Sequence, residues 1–337
     1  MRKILLTVLA IGGLALTAAA QDSGELRDRI TVTGWGQTYY DAAFGPDVRG
    51  TNTFAINKIN LVAKGQITDR WSMGILFQMH SPAKLKELWL QYTLMPQLRV
   101  RIGEMKTPFG MENQIPPSLL PLTSGWTMPT CYFAGVSGDP LYRGTSGRDI
   151  GLELSGDLWG KILSYKLAVM NGQGLNTLDL GTTKMYGGAL YVRPYRGITL
   201  HTSYLGGEMH AMGTRGAIQA GNAYKRSSIS AGLSLDYSPV TLSAEYLIAD
   251  TDETIGDGAY VMVVGHLPKS FELYGAVDWL RTDRSASESL LTGTVGVQRW
   301  FAKKCRWQLE YRFPGTLGSD EGFGPVHHIR TQVQFGF

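Results

Sequence analysis

His201 and Ser203 stand two residues apart, so any strand that carries them turns both side chains to one face. A hydrolytic site on a strand needs such a nucleophile and base, together with a third group that orients the base. No third partner is indicated for this pair. Glu208, Met209, His210 and Met212 gather soft and hard donors in one loop, but without the spacing that defines a metal site. His327 and His328 are neighbours, and neighbours on a strand face opposite ways, so they cannot grip one ion together. The pattern therefore suggests no enzyme, no cofactor and no metal centre. The chemistry that recurs is charge placed at every second position.

That alternation is clearest at the end of the chain. His327, Ile329, Thr331, Val333, Phe335 and Phe337 fall on one side, and His328, Arg330, Gln332, Gln334 and Gly336 on the other. Phe271, Leu273, Gly275, Val277 and Trp279 alternate in the same way with Glu272, Tyr274, Ala276 and Asp278. So do Cys305, Trp307, Leu309, Tyr311 and Phe313 with Arg306, Gln308, Glu310 and Arg312. One stripe suits lipid and the other suits water. A charge facing lipid at mid-membrane costs about 2 to 4 kcal/mol, so the charged stripe must face a lumen.

Residues 1 to 20 have a basic start (Arg2, Lys3), an apolar run from Ile4 to Leu16 and a small-residue exit at Ala18 and Ala20, the layout of a cleaved secretory signal. No later segment offers the roughly 20 consecutive apolar residues of a membrane helix. Membrane residence over residues 21 to 337 would therefore take the form of a closed barrel. Hydrophobic residues make up 43% of the 337 and charged residues 18%, spread by alternation and not gathered into spans. The formal charge of +4 includes Arg2 and Lys3, so net charge points to no nucleic-acid partner.

Seven short links divide the segments: Thr68 to Arg70, Met95 to Gln97, Asp157 to Gly160, Pro194 to Gly197, Ser238 to Pro239, Leu267 to Ser270 and Ala302 to Lys304. Eight long ones run from Ala43 to Thr53, His80 to Lys84, Lys106 to Gly147, Gly172 to Thr183, Gly206 to Lys225, Thr251 to Asp257, Thr282 to Ser289 and Pro314 to Val326. Together they predict an all-β fold, an antiparallel transmembrane barrel of about sixteen strands with both termini on the periplasmic side. Aromatic residues at strand ends, among them Trp71, Tyr92, Tyr237, Tyr246, Trp279 and Trp307, agree with an interfacial girdle. A soluble barrel would pack a dry core where this pattern is wet. Sixteen strands leave an aqueous channel.

The link from Lys106 to Gly147 exceeds the 12 to 15 residues beyond which loops usually have a job. It holds six prolines along with Trp126, Tyr132, Phe133 and Tyr142, but between Thr107 and Gly147 the only charges are Glu112, Asp139 and Arg143. So apolar and stiff a segment is expected to fold back into the barrel and narrow it; an extracellular cap or subunit contact is the alternative. Cys131 in this loop and Cys305 at a periplasmic turn would then lie beyond the Cα reach of a disulfide, about 7 Å.

Residues 98 to 113, Leu-Arg-Val-Arg-Ile-Gly-Glu-Met-Lys-Thr-Pro-Phe-Gly-Met-Glu-Asn, resemble the hallmark strand and turn of the phosphate-selective porin O/P family. Arg148 to Gly156, Met170 to Gly174, Gly293 to Phe301 and Gln308 to Arg312 are similar to its later segments. The resemblance implies a homotrimeric porin of sixteen strands in the outer membrane of a Gram-negative bacterium, often favouring anions. The family's better-known members carry arginine and lysine ladders, whereas this loop has one arginine and no lysine beyond Lys106.

The expected lining combines basic residues (Lys58, Lys64, Arg99, Arg101, Lys106, Arg143, Lys166, Arg306, Arg312 and Arg330) with acidic ones (Glu87, Glu112, Asp139, Glu153, Asp236, Glu245, Glu272, Asp278 and Glu310). Near-matched signs imply a polar, weakly selective passage for small anions or other hydrophilic solutes, because selectivity comes from a ring of one sign. The other function class is a plugged barrel serving as anchor or scaffold for partner proteins. Phe337, closing the lipid-facing stripe, is the expected assembly signal.

Overall fold

The computed structural model describes residues 29–45, 48–80, 82–142, 144–252, 254–317 and 326–337. The expected signal segment, Arg143 and most of the last long link lie outside them. Along the chain run β1 (Ile30–Gly45), β2 (Val48–Gln66), β3 (Trp71–Gln78), β4 (Lys84–Met95), β5 (Leu98–Lys106), β6 (Arg148–Leu158), β7 (Leu163–Met170) and β8 (Met185–Val192). They are followed by β9 (Ile198–His210), β10 (Ala223–Tyr237), β11 (Val240–Thr251), β12 (Ile255–Leu267), β13 (Phe271–Arg281), β14 (Ser289–Ala302), β15 (Cys305–Leu317) and β16 (His327–Gly336). Each pairs antiparallel with its sequence neighbour, and β1 pairs with β16, Trp35 opposite Gly336 through Phe44 opposite His327. The sheet is closed.

Alternation makes the wall amphipathic. Leu88, Ile102, Leu167, Leu273, Val277 and Val295 stand exposed on the outside, whereas Tyr260, Tyr274, Asp278, Gln308 and Gln332 are buried inside. Four of the expected long links are shorter than their composition suggested, the one between Thr251 of β11 and Ile255 of β12 among them. β1 and β2 run on to Gly45 and from Val48, β9 and β10 run to His210 and from Ala223, and β15 continues through Pro314, paired with Thr292, to Leu317. Glycine, asparagine and proline read as turn residues there, but cross-strand pairing overrides the local preference.

Two irregularities change what faces the lumen. In β2 the register with β1 steps from Gln37 opposite Lys58 to Thr38 opposite Ile56, leaving Asn57 as an extra residue. Asn57 bonds Gln37, Gln332 and the carbonyl of Thr123, and its neighbour Lys58 donates to the carbonyl of Ser124, so both point inward. In β4 the register with β3 steps from Leu76 opposite Glu87 to Phe77 opposite Leu85, and the extra residue is Lys86, which is buried beside Glu87. A bulge of this kind adds an unpaired residue and re-aims its side chain.

The long loop, closed at its root by Thr107 N–H donating to the Gly147 carbonyl (2.9 Å), fills much of the lumen. Gly147 has φ of +66°, and a Cβ there would stand 2.3 Å from Asn113 Oδ1, so only glycine suits the position. A 3-10 turn at Glu112–Gln114 and a short helix α1 (Met128–Phe133), with Pro129 in its first turn, break the loop into compact pieces. Phe109, Phe133, Leu141 and Tyr142 join inward residues of the wall, including Met185, Leu205 and Leu247, in one apolar cluster. This is the core of the molecule.

Candidate functional site

The loop is held by acidic groups of the far wall. Glu245 on β11 accepts from the backbone N–H of Met111 (2.6 Å) and of Glu112 (3.3 Å), and from the hydroxyl of Tyr260 (3.2 Å). Glu310 on β15 accepts from the N–H and hydroxyl of Thr123 (2.9 and 2.6 Å) and from Tyr274 (3.2 Å). Gln308 and Gln334 donate to the carbonyls of Pro121 and Ser118 (2.6 and 3.1 Å). Ser203 accepts from the N–H of Gly110 (3.0 Å) and shares a bond with Ser230 (2.7 Å), so the serine beside His201 serves the loop. His201 is buried, its Nδ1 3.6 Å from Glu245.

Glu112 and Asp139, both expected at the lining, are instead buried within the anchored loop, 1% and 0% exposed. Glu112 accepts from the N–H and hydroxyl of Thr127 (3.1 and 2.7 Å), and burial pushes its carboxyl up to about 7. Asp139 pairs with Arg226 on β10 and lies 3.7 Å from Arg215. Polar groups taken from water need such partners. Near the rim of short turns, Glu272 meets His266, Gln298 and Trp300, and fully buried Arg306 donates to Gln298 and Gln334 (2.9 and 3.2 Å). These too are wall fittings.

The opposite side of the lumen is basic. A cavity of about 300 Å³ lies between the loop at Gln114, Pro116 and Pro117 and the wall at Trp35, Val62 and Leu76. Lys64, Arg101, Lys106, Arg148 and Lys166 line it against one carboxylate, Glu87. Arg148 donates to Glu87 (2.6 and 3.0 Å), and Arg101 donates to Gln91 (2.6 and 3.1 Å) with its guanidinium 4.3 Å from the Trp89 ring. Lys106 donates to the carbonyls of Asn113 and Ile115 (2.6 and 3.1 Å), and Lys166 to Gln114 Oε1 (3.0 Å). Glu153 is 3.9 Å from both Arg101 and Lys166. Among the described residues, none of Lys58, Lys64, Lys86 and Lys106 forms an ion pair. Toward the short turns this cavity shares lining residues with two others, of about 380 and 410 Å³, the latter holding Arg99, which pairs with Asp157 (3.0 Å).

On the side of the long loops lies a further cavity of about 270 Å³ that shares no lining residue with these three. It contains Arg312, which donates to Glu310 (3.3 Å), Arg330, which donates to Asp41 (2.9 Å), and Asp278. Sequence reasoning missed Lys86, Arg148, Arg226 and Asp41. Arg148 was legible as the first charge after the loop; Lys86 was hidden by its bulge.

The other candidates have plain structural settings. His327 lies outside, between Phe44 and Tyr311 (ring centroids 5.7 and 5.9 Å), while His328 turns in to Asp41 (3.1 Å). Met209 is in the core, Glu208 meets Thr183 and His210 meets Gln173. Cys131 and Cys305 carry free thiols.

The sequence matches no family model and no curated protein. Solved structures similar to it include the anion-selective porin from Comamonas acidovorans, with a TM-score of 0.67 at 12% identity over 91% of this chain and 99% of that one. The trimer form of OmpT of Vibrio cholerae gives 0.66 at 13%, over 92% and 100%. The outer membrane channel DcaP of Acinetobacter baumannii gives 0.63 at 10%, over 91% and 97%. The fold is that of an outer-membrane porin-type barrel. At such identities the likeness is one of fold, and it does not extend to the narrower phosphate-selective family.

Proposed function

We propose that the protein is an outer-membrane channel for passive diffusion of small hydrophilic solutes and that it favours anions, inorganic phosphate among them. One observation carries this reading. Three acidic groups, Glu112, Glu245 and Glu310, are occupied by loop backbone and threonine hydroxyls, whereas among the described residues Lys58, Lys64, Lys86 and Lys106 are not ion-paired. A one-sided cationic strip acts as a ring of one sign would, so the weak selectivity expected from counting charges gives way to a preference for anions. The ladder comes from the wall and not from the loop. Assembly as a homotrimer is supported by the trimer form of one neighbour, removal of residues 1 to 20 by their signal layout, and the absence of enzymatic activity by the loop-bound Ser203.

A planar-bilayer recording in asymmetric potassium chloride tests the proposal. The reversal potential should lie toward that of chloride, and replacing Lys64, Lys86 and Lys106 together by Gln should move it toward potassium. A potassium preference in the wild type would sink the anion reading. The plugged-scaffold reading keeps one observation in its favour, that the outer cavity and the basic cavities share no lining residue. Complete lack of conductance would establish it instead.

A further inference from the structure

We infer that the outer cavity is a binding site for the ammonium group of a zwitterionic solute, so that the channel takes acidic amino acids or short acidic peptides in preference to simple anions of the same size. This rests on the anion-channel reading and narrows its substrate class. Asp278 lines the cavity, is 3% exposed, and its Oδ1 has no hydrogen-bond donor among the described residues. The other charges around it are matched. Arg312 is bonded to Glu310, and Arg330 and His328 are both bonded to Asp41. Of the acidic groups lining the cavity, Asp278 is the one without an ion pair among the described residues, and its buried Oδ1, lacking a donor, calls for a cation or a donor.

What lies next to it selects an organic ammonium over a bare metal ion. Trp126 and Met128 of the long loop line the same cavity, and the Trp126 Nε1, on a residue 6% exposed, also has no acceptor among the described residues. An indole and a thioether accommodate the carbon skeleton around an amine, and among the described residues no group of three or more His, Cys, Asp or Glu is placed to hold a metal ion. Lys58, 5.0 Å from the ring of the same Trp126, begins the cationic strip on the other side of the loop. Arg312 and Arg330 line the same cavity, so a solute held by its amine at Asp278 would lay its carboxylates beside guanidinium groups. An α-amino dicarboxylate carries both signs, which a simple dicarboxylate lacks.

The test uses the full-length mature protein in a planar bilayer, with L-glutamate or glutarate added on the long-loop side at neutral pH. The two probes differ by the amine. Glutamate should interrupt the current with dwell times about tenfold longer than glutarate, the scale of one charge-assisted hydrogen bond. In Asp278→Asn that ratio should fall to near one, and in Asp278→Glu it should largely return, with heat-modifiable gel mobility showing that each variant is folded. Equal dwell times for the two probes in the wild type, or an undiminished ratio in Asp278→Asn, would overturn the inference. If neither acid is admitted and potassium is preferred over chloride, the anion-channel reading fails first and takes this inference with it.

Discussion

Two carboxylates hold the loop against the wall, and the consequences of losing them differ from those of losing surface charges. Replacing Glu245 by Ala strips acceptors from two backbone N–H groups and a buried tyrosine hydroxyl. Each orphaned buried donor costs about 1 to 3 kcal/mol. The variant should therefore show noisier, larger single-channel currents and unfold several degrees lower in detergent, as followed by gel mobility after stepwise heating. Glu112 behaves in the opposite sense with pH. Burial raises its carboxyl from 4.5 to about 7, so the folded protein binds this proton more readily than the unfolded chain does. Ionising it therefore costs stability progressively between those values and in full above pH 7. Wild-type protein should unfold more easily at pH 8 than at pH 5, and Glu112→Gln should reduce that difference; an unchanged difference would place the effect elsewhere.

At the level of elements, the loop sets the width of the lumen. Deleting Gln114 to Ser137 removes its contacts with β2, β15 and β16 along with α1, and single-channel conductance should rise clearly, as measured in symmetric salt. How far this arrangement could be read from sequence depends on which interaction decides it. The strands were legible because lipid and water impose opposite demands on alternate residues, and the stripe through Phe271 to Trp279 is oriented as expected. The in-folded path of the loop was legible from its prolines, aromatics and few charges. Its anchors were not, because a carboxylate that accepts from loop backbone looks the same in sequence as one that lines a channel. Nor were Asn57 and Lys86, since a bulge is set by pairing with the neighbouring strand and leaves no local mark.

For the whole molecule, closure between β1 and β16 is what turns sixteen strands into one cooperative unit. A barrel without a free edge offers no strand from which unfolding can begin, so unheated protein should migrate faster on a gel than boiled protein and give a β-type circular dichroism spectrum. A helical spectrum would contradict the fold. Phe337 sits at the seam: its N–H and carbonyl pair with Gly34 (3.0 and 3.3 Å), Lys304 donates to its carbonyl (2.8 Å), and its ring covers Gly34. Deleting it, or replacing it by a charged residue, should lower the amount found in the outer membrane much more than it alters the conductance of molecules that insert. Normal outer-membrane levels would argue against an assembly role.

The two bulges also govern which changes of chain length the barrel can survive. Removing one residue from an ordinary strand turns every side chain on one side of the cut from lumen to lipid and exposes charges to hydrocarbon. Removing Asn57 would do no such thing, because Lys58 and Ile56 already oppose consecutive residues of β1 and would simply become neighbours in an unbroken ladder. The same holds for Lys86 between Glu87 and Leu85. These are two places where this barrel can lose a single codon and keep its inside and outside.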